Sequence, residues 1–590
     1  MKLSGKVLAP VLDLNMFSKL NFLQRVFFTM ILMMMLASFY FHANLGGTGF
    51  RIPNNIFVWL FGGLAAFIGI IQLTRNKIFY LPQYFWLMMA FPVLALFSGM
   101  ISGVNSASDW FLRLFFIWGG LLFLFALFQQ PYRGKHLDMI LLAITCCGFF
   151  HAVIGLTQII LVADIPGWLP LNSSGDPTGL FQQINNQASF QVTTTLICIW
   201  LLSRPVSRRS LWVKVFLLAV VFFASTIIFA SASRVGFLGL IIALPLMFLS
   251  RWKWLWQNKI TVVSLSVIII AAFLSNNLHS SNIDKLSAKT DKLHAGYSGE
   301  ARMGIYKITF DELIKSPLTG HGIGTFARVW QNAKPAFYAE FPDATLPSQR
   351  VSHPHNELIL WLLEGGLIAA AGLVLFLLGV LLTLYKLPSS RRYAYAALLL
   401  PIGLHTQVEL PFYISALHWF VFIILIFILL HSFRRAFRKQ LSVAANNSIK
   451  YLSLSGIFGL VIFSAHTYAS SLEFKDYIIG KTNSDDPFTY AMENPYFKRL
   501  ATHAVMTSMY KSSVEYGIRE NIEAFADWAE QQMKFNPQIG YFKLAVDSRL
   551  KLSEQKQACD IAKQANNIYP LEKDIASFVN KCELMSHSAE

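Results

Sequence analysis

Arg350-Val-Ser-His353-Pro-His355-Asn356-Glu357 places two imidazoles, an amide and a carboxylate directly before the apolar run Leu358 to Tyr385. A neutral imidazole near its ordinary pKa can take a proton from an attacking hydroxyl or hold that hydroxyl in line. The same pair could instead only cap a helix at an interface. Asn356 and Glu357 would open the helix, and Glu364, seven residues further in, is an acid at a depth where carboxylates are rare. His405 and Glu409 stand four residues apart, a helical-neighbour spacing that suits either a site or a structural pair.

Two arginines join this set. Arg234 interrupts apolar sequence in Ala230-Ser-Ala-Ser233-Arg234-Val-Gly236. A charge at membrane depth costs roughly 2.5–3.5 kcal/mol on insertion scales, so it usually pairs or lines a wet cavity, and here it could hold a lipid phosphate. Arg302 opens an amphipathic segment, Ala301 to Ile314, in which Met303, Tyr306, Phe310 and Leu313 recur at helical spacing. It could equally be a solvated charge. Ser316-Pro317 stops that segment, and Gly320, Gly322 and Gly324 then alternate, a backbone able to turn tightly or to wrap an anion. The sequence has no HExxH and no Asp-x-Asp pair of the kind that holds a nucleotide-sugar through a divalent ion, so metal-free, cofactor-free chemistry is expected.

The elements that must position these groups are membrane helices. Of 590 residues, 55% are hydrophobic and only 14% charged, which describes a polytopic membrane protein and not a soluble globule. The net charge of +17 does not imply nucleic acid. From Leu472 onward there are 14 Lys and Arg against 17 Asp and Glu, so the excess lies upstream, in short clusters between apolar runs. Runs near 22–42, 54–74, 79–101, 109–129, 137–163, 187–203, 210–230, 233–250, 260–275, 357–385, 393–410, 414–431 and 451–471 give about 13 transmembrane helices, within a range of about eleven to fourteen. The first run has no small-residue cleavage pattern behind it, so it reads as a span and not as a cleaved signal peptide.

With the N-terminus cytoplasmic, six basic connectors fall on one side: those at Arg75, Arg133, Arg204 to Arg209, Arg251, Lys386 to Arg392 and Arg434 to Lys439. The loop 276–355 and the C-terminal region then lie on the far face. The division expected is a transmembrane bundle over 1–275, a large loop carrying the active site over 276–356, further transmembrane helices over 357–471, and a far-face helical domain over 472–590. In that last region segments 511–534, 539–551, 553–567 and 571–584 resemble tetratricopeptide hairpins. It is either a helical domain without a ligand or a docking module. Cys559 and Cys582 could pair there on an oxidising face.

His355-Asn356 followed by Gly366, together with Ser233-Arg234 and Arg302 leading to Pro317-Leu318-Thr319-Gly320-His321-Gly322, resembles the bacterial O-antigen ligase and polymerase superfamily. The stretch from Gly175 to Phe190, with Gln183 and Asn185, and Val408-Glu409-Leu410-Pro411-Phe412 resemble its protein O-oligosaccharyltransferase (PglL-like) branch. The resemblance implies an all-α, GT-C-like polytopic protein of the bacterial inner membrane, with the active site and C-terminal domain in the periplasm. It implies en bloc transfer of an oligosaccharide from polyprenyl pyrophosphate to Ser or Thr of a pilin or other periplasmic protein. His355 would then activate the acceptor hydroxyl, and Arg234 and Arg302 would neutralise the departing pyrophosphate. His353, Asn356, Gln183, Asn185, Glu364, His405 and Glu409 would contribute to donor or acceptor binding. An O-antigen ligase or polymerase would share the arginines and the histidine. A lipid-linked glycan transporter would instead spread its charges along a path through the bundle.

Overall fold

The computed structural model describes residues 20–76, 78–162, 164–170, 175–279, 299–344, 346, 351–438, 441–482 and 486–587. Twelve of the thirteen apolar runs fall on helices, and the run 79–101 falls on a strand and the helix after it. The first nine are α1 (Phe22–Ala37), α2 (Pro53–Leu73), α3 (Phe85–Ile101), α4 (Ala107–Phe128), α5 (Gly134–Leu161), α6 (Ile184–Leu202), α7 (Leu211–Ser231), α8 (Arg234–Gln257) and α9 (Lys259–His279). Between the ninth and tenth runs lie α10 (Gly299–Lys315) and α11 (Phe326–Glu340). Then come α12 (Glu357–Lys386), α13 (Ser389–His405), α14 (Ala416–Leu430) and α15 (Val443–Ile478), followed by α16 (Lys498–Tyr516), α17 (Arg519–Phe535), α18 (Ile539–Lys551), α19 (Gln555–Ile568) and α20 (Lys573–His587). The protein is an all-α polytopic membrane protein, with eight helices among the described residues long and apolar enough to cross a bilayer.

The chain forms two compact units that do not follow chain order. The first gathers α1, α2, α5 to α9 and α13 to α15 with the adjoining parts of α3, α4 and α12. Helix α6 is buried from Asn186 to Leu202 and packs on α5, α7, α8 and α13. Several of its polar groups bond within the protein: Thr193 and Thr194 donate to the carbonyls four residues back, and Gln187 and Gln191 reach the carbonyls of His151 and Gly148 on α5 at 2.8 and 3.1 Å. In an apolar surrounding such groups must find protein partners, because water offers none.

The second unit holds Val93–Leu114, the loop helices α10 and α11, α12 as far as Leu373, and α16 to α20. The C-terminal helices form successive hairpins around Phe525, Ala526, Ala529, Phe542, Ala545, Ala558, Ala562 and Ala565, all fully buried. Small residues at helical spacing let the helices approach closely, and Cys559 and Cys582 join α19 to α20 in a disulfide.

Several elements depart from the sequence reading. The run expected to start at residue 79 begins as a strand, β1 (Ile78–Pro82), paired antiparallel with β2 (Arg434–Arg438), and Phe79 stacks on Phe437. Aromatic cross-strand pairs favour such a ribbon, and hydropathy alone merges it with the helix behind it. The segment read as 511–534 is two helices, because Gly517 adopts φ +70 and ends α16. Helix α11 was not anticipated, since Pro335 in its interior and the glycines before it read as loop. The last membrane helix runs on to Ile478, past the boundary expected at 472. Lys77, residues 280–282 of the loop, Arg350 and Lys439 lie outside the described residues.

Candidate functional site

In the second unit the segment before α12 is held by short-range bonds. Asn356 Oδ1 accepts from the Ile359 amide at 3.0 Å, so Asn356 caps the helix. Glu357 sits in the first turn, where a carboxylate suits the helix dipole, and accepts from Trp361 Nε1 at 3.0 Å. His355 has φ +55, a left-handed conformation costing a side-chain-bearing residue about 1–3 kcal/mol. Its amide donates to His353 Nδ1 at 3.2 Å, and the two rings lie edge to face with centroids 4.4 Å apart. The turn thus commits a His353 ring nitrogen to the backbone and carries His355, half-buried, at its tip.

The alternating glycines pack against the start of α12. Helix α12 is broken at Gly366 (φ +61, ψ −164). The amides of His321 and Gly322 donate to the Leu363 and Glu364 carbonyls at 2.9 Å each, and Leu367 and Ile368 donate back to Pro317 and Leu318. Two backbones in such contact leave no room for side chains: a Cβ on Gly320 would lie 2.5 Å from the Leu363 carbonyl oxygen, and one on Gly366 would overlap Leu318. This is the tight-turn alternative, since the amides of His321 and Gly322 are spent on α12.

Glu364 locks the arrangement. Its carboxylate is 1% exposed, meets Arg113 Nη1 at 2.7 Å and accepts from the Phe326 amide at 3.2 Å. Arg113 also lies over Trp361. Glu364 therefore sits in a buried ion pair that fastens α11 and α4 to α12. Arg302 lies half-buried in the first turn of α10 and has no hydrogen-bond or ion-pair partner among the described residues.

In the first unit Arg234 is the first residue of α8 and is exposed, with no ion-pair partner among the described residues. A cation there opposes the helix dipole, so guanidinium and helix end both present positive charge to an anion. Ala232 (φ +44) turns the chain into the helix, and Ser233 caps it by accepting from the Gly236 amide at 3.2 Å. Ser233 Oγ also donates to Asn185 Oδ1 at 2.7 Å, bringing the start of α6 to the start of α8. Gly236 permits this approach, since a Cβ would come within 2.8 Å of the Ala188 Cβ. Gln183 caps α6 through its own amide oxygen, which accepts from Asn186 at 2.6 Å.

His405 ends α13 fully buried, with Nδ1 at 2.9 Å from Ser189 Oγ, which in turn lies 3.4 Å from His418 Nε2. His418 is held by the Asn186 carbonyl and Ser415. The Glu409 amide donates to the His405 carbonyl at 2.9 Å, so the residues share one turn. Phe181 stacks on His151 at 4.4 Å and Gly179 fits beneath Gln187, so much of the Gly175 to Phe190 motif shapes the approach to α6.

Residues 218–374 match the family model described as O-antigen ligase, and residues 393–581 match that described as virulence factor membrane-bound polymerase, C-terminal. Together the two matches cover more than half of the chain. The chain belongs to the O-antigen ligase and polymerase superfamily. No curated protein matches it. Its members are glycosyltransferase-like membrane enzymes acting on lipid-linked glycans, and Arg234, Arg302, His355 and Gly366 all fall within the first match.

As a member of this superfamily the chain shows its candidate residues in two sets. Arg234, Asn185 and Gln183 stand at the starts of α6 and α8, while His353, His355 and Asn356 form the turn before α12. His405 is fully buried and meets α6 through Ser189. Arg113 and His418 were missed by the sequence reading. The signal that could have found both is the one applied to Arg234: an ionisable residue inside an apolar run.

Proposed function

We propose that this superfamily member is a protein O-oligosaccharyltransferase. It moves an oligosaccharide en bloc from polyprenyl pyrophosphate to a Ser or Thr hydroxyl of a pilin or other periplasmic protein, without a metal. It sits in the bacterial inner membrane with its N-terminus cytoplasmic, and with His355 and the C-terminal helices in the periplasm. The acceptor oxygen bonds to the anomeric carbon, the bond from that carbon to the pyrophosphate oxygen breaks with its electron pair on the phosphate, and the hydroxyl proton passes to His355. Arg234 and Arg302 meet the growing phosphate charge, the role a divalent ion would otherwise fill.

The observation that carries this reading is the packing of α19, in the C-terminal helices, on α11 of the loop that leads to His355. Lys334 of α11 is fully buried, with Trp330 and Tyr569 faces 4.7 and 4.6 Å from its Nζ. A helical domain packed on that loop suits the docking of a folded protein acceptor beside it. The polymerase reading draws on the same helices, since residues 393–581 match the family model described as virulence factor membrane-bound polymerase, C-terminal. The ligase reading has its own support in the description of the first matched family model. Co-expression with a lipid-linked glycan pathway and a pilin acceptor, read by intact-protein mass, separates the two. Added mass on the acceptor, retained with a chelator present, supports the proposal. Polymer gained by lipopolysaccharide with the acceptor unchanged favours the ligase.

A further inference from the structure

Helix α17 carries two stripes. Ile522, Phe525, Ala526, Ala529 and Met533 form the buried one. Trp528, Gln532 and Phe535 recur at the same helical spacing about a quarter-turn away, yet Trp528 is only half-buried and Phe535 is 62% exposed. This second stripe forms one wall of a cleft of about 290 Å³ within the second unit. The facing wall is Asp109 at the start of α4 and Arg328 in the first turn of α11, with Arg499 of α16 beside them. Arg328 Nη2 donates to Asn105 Oδ1 at 3.1 Å, and Arg499 Nη1 lies 3.5 Å from Asp109 Oδ2, which also accepts from Ser106 Oγ at 2.9 Å. Each guanidinium is oriented by one partner and keeps further N–H donors for a ligand.

We propose that this cleft binds a saccharide unit of a glycan chain. Its volume suits one or two sugar rings. Trp528 and Phe535 give the cleft aromatic surface on which a sugar ring can stack, while Arg328, Arg499, Asp109 and Gln532 give it donors and acceptors for hydroxyls. None of these residues belongs to the candidate catalytic groups. The glycan is either the one awaiting transfer or one already on an acceptor, and that identity rests on the proposed glycosyl transfer.

The test measures binding to the full-length protein in nanodiscs by saturation-transfer NMR and calorimetry. Three probes are used: the free oligosaccharide released by mild acid from the lipid-linked pool, a glycopeptide bearing it, and the unmodified peptide. Expected are binding of the free oligosaccharide and at least tenfold weaker binding in Phe535→Ala and in Arg328→Gln/Gln532→Ala. Phe535 is exposed and Arg328 and Gln532 are half-buried at the cleft rim, so thermal unfolding should stay close to wild type. Tighter binding of the glycopeptide would identify the product-side chain as the occupant and support the cleft equally. Failure of the wild type to bind any saccharide overturns the proposal. So does saccharide binding indifferent to the cleft variants, or loss in those variants of unmodified-peptide binding alone. Saccharide binding that depends on the cleft in a protein that transfers nothing to an acceptor would retain the cleft and remove the proposed function.

Discussion

Arg113 and Glu364 give the sharpest structural prediction, because the pair is buried and its alternatives can be separated. Glu364 is 1% exposed at the side chain and Arg113 18%, with 2.7 Å between charges. Removing one partner of a buried pair strands the other and typically costs about 3–5 kcal/mol, whereas replacing both by well-packed apolar groups is often neutral or stabilising. Arg113→Met should therefore destabilise by about 3–5 kcal/mol, and so should Glu364→Met, which also frees the Phe326 amide. The double variant should return close to wild type. At about 2–4 °C per kcal/mol for a domain of this size, each single variant should lower the unfolding temperature of the protein in nanodiscs by about 6–20 °C. Scanning fluorimetry on the four proteins completes the cycle. If Arg113→Met is silent, or if the two losses simply add in the double variant, the pair does not fasten α4 and α11 to α12 and the reasoning fails.

Gly366→Ala should reduce both stability and transfer activity, because its Cβ meets the Leu318 carbonyl at a position of positive φ; Gly403→Ala, inside α13 with nothing within 4 Å of where its Cβ would lie, should cost less in the same two assays. Burial pushes the Lys334 amine from 10.5 down to about 7. Between these values the unfolded chain binds more protons, so stability should rise with pH there by up to about 1.4 kcal/mol per unit, be level below about 7, and lose this dependence in Lys334→Met. Cys559→Ser opens a loop with a sequence separation of 23 residues, which should cost the C-terminal helices about 3 kcal/mol on the chain-entropy account. Limited proteolysis of the 559–582 segment, with and without reductant, checks it.

The membrane helices were legible in the sequence because hydropathy is a local property, and the ends set by Ser233 and Asn356 follow from cap chemistry. What could not be read was pairing. Nothing near Glu364 in sequence announces Arg113, 251 positions away, and nothing near Ser189 announces His418. The glycines at 320, 322 and 324 read as either a turn or an anion nest, and only the facing break at Gly366 decides for the turn. The ribbon of Ile78–Pro82 with Arg434–Arg438 escaped for the same reason, since its strands are meaningless apart. Trp528, Gln532 and Phe535 were visible as residues, but a second stripe beside the core of α17 becomes a cleft only when α4 and α11 supply its far wall.

The most direct measurement of the central claim is intact mass of a pilin co-expressed with a lipid-linked glycan pathway and either the wild-type chain or His355→Ala. The account predicts an added mass equal to one whole oligosaccharide with the wild type and none with the variant, at equal membrane levels of the two proteins. An acceptor glycosylated equally by His355→Ala would contradict it.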